Sequence, residues 1–69
     1  MGDVYRIELH VSAGKFKDVK QLLRERYDAG HPAGGVLLVV PACDKGRMQE
    51  IIQLVIESCS TIVIDRKQR

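Results

Sequence analysis

Aromatic side chains are nearly absent from this chain of 69 residues, which has no tryptophan, one phenylalanine and two tyrosines. Tyr5, Phe16 and Tyr27 cannot fill a core between them, so that task falls to Val, Ile and Leu, and few rings remain for stacking on nucleic-acid bases. Cysteine is also scarce. Cys43 and Cys59 neither form a close pair nor lie within ligand spacing of His10 and His31, which argues against a zinc or iron-sulfur site, and neither metal nor cofactor is expected. Both thiols sit in or beside apolar segments, where a free cysteine packs as a small hydrophobe, so reduced thiols and a cytoplasmic protein are expected. Long apolar runs are missing as well. Nothing approaches the roughly 18 consecutive apolar residues of a membrane span, and "MGDVYRIELH" lacks the charged start and apolar stretch of a signal peptide.

The chain does have the balance of a folded domain, with 45% hydrophobic and 29% charged residues. That composition argues against disorder. Residues 1–69 form one domain near the lower size limit for folding without staples, which brings a second subunit into consideration. The net charge of +2 permits an anionic partner without requiring one.

Hydrophobic periodicity then divides the chain. Tyr5, Ile7, Leu9 and Val11 alternate with Arg6, Glu8, His10 and Ser12, the period of a strand with one buried face and one wet face. Phe16, Val19, Leu23 and Tyr27 share one stripe, with Leu22 at its margin, and predict an amphipathic helix opened by Ser12 or Gly14. Gly30 is placed for a left-handed cap, and Pro32 prevents continuation. "VLLVV", Val36 to Val40, is apolar throughout and reads as a central strand covered on both faces and ended by Pro41. Asp44 is placed to cap a second helix from about Lys45 to Ser58, with Met48, Ile51, Ile52, Val55, Ile56 and Cys59 on a broad arc that Leu54 extends. "TIVID" is a last short strand, and residues 66–69 form a basic tail.

The resulting expectation is an α/β fold of β-α-β-α-β order, with a three-stranded, mostly parallel sheet and two helices mainly on one face. With the strands in sequence order, the first lies at an edge, since its polar face disfavours the centre. The other sheet face is then bare, with Arg6, Glu8 and His10 beside aliphatic residues, and a second copy is the simplest cover.

In a parallel sheet the strand ends would bring Ser12–Lys15, Pro41–Arg47 and Asp65–Lys67 together, where open α/β sheets bind ligands. "SAGK" lacks the glycine spacing of a phosphate loop. Cys43 has no base partner nearby and is followed by Asp44, whose charge opposes a thiolate. Asp44 and Asp65 lack a third acidic ligand. No catalytic residue is assigned, and an enzyme is the less favoured class.

The most distinctive surface is on the first helix, where Lys17, Lys20 and Arg24 share a stripe at i, i+3 and i+7. Lys15, Arg66, Lys67 and Arg69 are candidates to extend it into a surface for phosphates. The functional expectation is a small homodimeric binding or regulatory module that takes nucleic acid or another polyanion through this basic face. One alternative is a protein-protein adaptor or inhibitor docking through the open sheet face, with Arg6, Glu8 and His10 as interface residues. The other is a small enzyme with its site at the strand ends. No stretch carries a motif specific enough to name a family.

Overall fold

The computed structural model describes residues 2–67. Strand β1 (Val4–Val11) leads through a 3-10 turn (Ala13–Lys15) into helix α1 (Phe16–Tyr27). The short strand β2 (His31–Pro32) and strand β3 (Leu37–Cys43) follow, then helix α2 (Lys45–Val55), a 3-10 turn (Ile56–Ser58) and strand β4 (Cys59–Lys67). The sheet has four strands in the order β2-β3-β1-β4, and every neighbouring pair is antiparallel. This corrects the expected three-stranded, mostly parallel sheet.

The cause is a hairpin at "PAGGV". Val39 pairs with His31 and Leu38 with Pro32, while Ala33 donates to the Leu37 carbonyl and Leu37 to that of Gly34, at 2.9 and 3.0 Å. Gly34 and Gly35 have φ of +111° and +56°, a backbone that side-chain-bearing residues seldom adopt. The chain therefore reverses once more after α1, and β3 enters antiparallel to β1 instead of parallel. The second crossover behaves as expected. Helix α2 carries the chain from β3 to β4, which run the same way with β1 between them. The complete β-α-β-β-α-β order is the ferredoxin-like, split βαβ arrangement, which hosts many unrelated functions.

β1 thus lies in the centre, against the expectation from its polar face. One face of the sheet carries the helices and the other is open, so a central strand can alternate cleanly. Ile7, Leu9 and Val11 are buried, whereas Arg6, Glu8 and His10 are half-exposed. β3 is likewise covered on one face only, with Leu38 and Val40 buried and Leu37 and Val39 half-exposed. Pro41 does not end this strand. Tyr5 is level with Cys43 and Ile7 with Val40, so Pro41 and Ala42 together oppose Arg6 in a bulge, a place where a missing N–H is tolerated.

The core combines Ile7, Leu9, Val11, Leu38 and Val40 of the sheet with Val19 and Leu23 of α1 and Met48, Ile51 and Val55 of α2. It contains no buried polar or charged residue among those described. Asp44 caps α2 as its position predicts, its Oδ1 accepting from the Arg47 N–H at 2.7 Å. At the end of α1 the left-handed position belongs to Asp28, at φ +49°, one turn feature earlier than Gly30. Gly30 has φ +86° for a different purpose, since it brings the chain against the Leu23 side chain. Tyr27 ties the helices together by donating to the Glu50 carboxylate at 3.2 Å while the Arg47 guanidinium lies 4.8 Å from its ring centre. Partial burial, reinforced by Glu50, pushes the Tyr27 phenol up.

Candidate anion-binding site

The antiparallel topology disperses the strand-end site that a parallel sheet would assemble. The end of β1, with Ser12 to Lys15, lies at one end of the sheet, and the ends of β3 and β4 lie at the other. Cys43 is level with Tyr5, and Tyr5 with Arg66. The Cys43 thiol donates weakly to the Tyr5 carbonyl at 3.6 Å, and burial, with Asp44 adding to it, pushes its pKa up. Burial likewise raises the Cys59 thiol. Neither cysteine has the electropositive setting of a reactive thiolate. No group of three or more metal-ligating side chains occurs among the described residues.

The open sheet face carries Arg6, Glu8 and His10 along β1. Arg6 and Glu8 bond to each other as a close ion pair, and this hydrogen bond holds the Glu8 carboxyl below its ordinary value. Level with Glu8 are Val39 on one side and Val63 on the other, and level with His10 are Leu37 and Thr61. The three expected interface residues therefore share one face, as a charged strip bordered by aliphatic residues. Tyr5 projects to the helix side in alternation with them, and Phe16 and Tyr27 pack against the core from α1. The rings on this face are the imidazoles of His10 and of His31, which is level with Val39, and no phenylalanine or tyrosine adds a larger stacking platform there.

The outer side of α1 is different. Val19 and Leu23 fix the helix on the sheet by their burial, which turns Lys17, Lys20 and Arg24 toward the β2 edge. These three side chains, with Gln21 and Pro32, line a shallow open depression of about 470 Å³. No acidic residue lines it. Asp18 lies further around the helix, and Glu25 is engaged by Gln21, whose Nε2 donates to it at 3.0 Å. The ion pairs among the described residues are Arg6 with Glu8 and Arg66 with Asp3, so none neutralises the stripe. Lys20 is half-buried while Lys17 and Arg24 are exposed, consistent with an aliphatic stem lying along the surface and a solvated ammonium.

The other basic candidates lie elsewhere. Lys15 ends the 3-10 turn before α1 and is exposed. Arg66 and Lys67 belong to β4, the sheet edge opposite β2, and Arg66 faces Asp3 at 3.5 Å. Lys67 is level with Val4 and Cys59 with Val11, so Lys67 stands about 23 Å along the sheet from the end of β1 that leads to α1. Arg69 lies outside the described residues. Gln21 and Pro32 complete the depression without having been singled out from sequence. Gln21 shares the stripe by its spacing, four after Lys17 and three before Arg24, whereas Pro32 joins only through the hairpin.

Compared with protein-family models, curated proteins and solved structures, the chain matches none. No helix among the described residues is long and apolar enough to cross a membrane.

Proposed function

We propose that this protein is a small non-enzymatic binding module that takes a polyanion, nucleic acid being the class that fits, on the outer face of α1. The observation that carries this reading is the depression in which Lys17, Lys20 and Arg24 converge with no acidic residue among its lining. Lys17 to Arg24 spans about 10 Å of helix, the length of about three phosphates along one strand of a duplex. The cations meet backbone phosphates, and no aromatic side chain is among the lining of the depression, which favours recognition without base stacking.

Fluorescence anisotropy with labelled duplex and single-stranded oligonucleotides tests this. Three phosphate contacts predict about 40-fold weaker duplex binding, and about 20-fold weaker single-strand binding, between 50 and 200 mM salt. K17Q/K20Q/R24Q should remove most of this salt dependence and most of the affinity while leaving the fold intact. Binding unchanged in that triple variant, or none by the parent protein at 50 mM salt, would sink the reading.

A second reading is supported by the open sheet face, where Leu37, Val39 and Val63 border the Arg6-Glu8 pair. A protein ligand docked there would be lost on substituting His10 or Val39 and retained in the triple variant.

A further inference from the structure

We propose that the exposed edge of β4 is a self-association surface, where a second copy of this chain pairs antiparallel to β4 about a two-fold axis at Val63. The sheet of each copy would then continue into the other as eight strands.

The argument begins with what the edge leaves open. β4 is nine residues long and bonds to β1 along one side only, so its other side presents unpaired backbone donors and acceptors. Over Thr61 to Ile64 it carries none of the usual protections, and the first charge is Asp65. There is no proline, no lysine and no bulge in this segment, since the one irregularity against β1 lies at Ser60. Val63 and Ile64 are 43% and 46% exposed, and Leu54 and Ile56, just before the strand, are 39% and 55% exposed. These are four of the five large hydrophobic residues so exposed among those described.

The choice of occupant follows from the pattern. "TIVID" is symmetric in character about Val63, with an isoleucine on either side and then a polar residue, Thr61 or Asp65. An antiparallel copy in that register sets Val63 against Val63, Ile62 against Ile64 and Thr61 against Asp65. The isoleucines meet on the helix side, where Ile64 is otherwise half-bare, and the threonine hydroxyl meets a carboxylate on the open face. Moving the axis one residue to Ile64 sets Val63 against Asp65 and Ile62 against Arg66, and moving it to Asp65 brings two carboxylates together. An isologous contact needs this kind of self-complementarity.

Sedimentation equilibrium over a concentration series reads the mass. A rise from 7.8 kDa toward twice that value is expected, and it should be nearly independent of salt because the paired side chains are uncharged at the axis. V63K places two ammonium groups face to face in the dimer, whereas within one subunit the lysine lies beside Glu8, so the fold should survive and the mass should stay monomeric. Should V63K fail to fold, cross-linking decides the matter. With Cys43 and Cys59 replaced by serine, V63C should oxidise to a covalent dimer, because directly opposed residues lie within disulfide reach. T61C should not, since its two copies would stand about 13 Å apart. A parent protein monomeric up to millimolar concentration, a dimer that persists in V63K, or T61C cross-linking as readily as V63C would each overturn the proposal.

Discussion

At the β2 edge of the sheet the outermost strand is two residues long and contains Pro32, while at the β4 edge it is nine residues long and unbroken by proline. The helices differ in the same direction. α1 buries a narrow stripe, Val19 and Leu23, and leaves cations toward its edge. α2 buries Met48, Ile51 and Val55 yet has more apolar surface than the core can cover, with Ile52 half-buried and Leu54 exposed. A short, proline-bearing edge beside a basic helix is finished for contact with water and anions. The long β-branched edge is not. One small domain thus presents two chemically distinct surfaces on opposite sides, and salt should weaken contacts at the first while hardly touching those at the second.

The largest effects should come from the core on which both halves depend. Leu23 and Ile51 are fully buried, one in each helix. Leu23→Ala and Ile51→Ala should each cost about 2–5 kcal/mol in urea unfolding followed by circular dichroism. That is comparable to the whole stability expected of a domain this small, so either variant should be largely unfolded at 37 °C. If Leu23→Ala instead melted only the α1 and β2 residues by hydrogen exchange, the halves would be separate folding units and the contrast would be one between two modules.

Glycines sharpen the comparison at a smaller scale. At Gly30, φ is +86° and an added Cβ would lie 3.1 Å from Leu23 Cδ1, so Gly30→Ala should cost roughly 1–3 kcal/mol. At Gly46, in the first turn of α2, the nearest atom to such a Cβ is Asp44 Oδ1 at 3.6 Å, an ordinary contact. Gly46→Ala should therefore stabilise by about 0.5–1 kcal/mol through the helix it rigidifies. Thermal melts of the two variants should move in opposite directions. A stabilised Gly30→Ala would mean that the turn closing the α1 edge relaxes easily.

Much of this architecture is legible in the sequence, and the part that is not has an identifiable cause. Both helices, the faces of β1 and the Asp44 cap follow from periodicity and capping chemistry, which are local. The strand order does not, because it turned on whether "GHPAGG" ends a helix or builds a hairpin. Gly34-Gly35 is a hairpin signal when strands flank it, but β2 is only two residues long and has no periodicity to detect. Without β2 the direction of β3 would be reversed, and the strand ends would converge on one ligand site. Lys17, Lys20 and Arg24 share a face in either topology because they lie on one helix, where spacing alone sets the face. Arg66 and Lys67 did not join it, since their placement depended on the topology.

The smallest expected effect concerns β1, the interior strand between β3 and β4. The Arg6 hydrogen bond draws the Glu8 carboxyl below its ordinary value against a loss of hydration that acts the other way, with the charges of Arg6 and then His10 assisting the lowering. A carboxyl held lower in the folded than in the unfolded chain adds stability that is present above its unfolded pKa of about 4.3 and disappears as pH falls through the folded value. Urea midpoints should accordingly drop on acidification from pH 5 toward 3, and Glu8→Gln should flatten that part of the curve by lowering the neutral plateau slightly, so that the two proteins converge in acid. The difference should shrink in high salt, because the pair is open to solvent. An acid limb identical in the two proteins would mean that Arg6 and Glu8 are independently solvated, leaving the central strand held by its buried face alone.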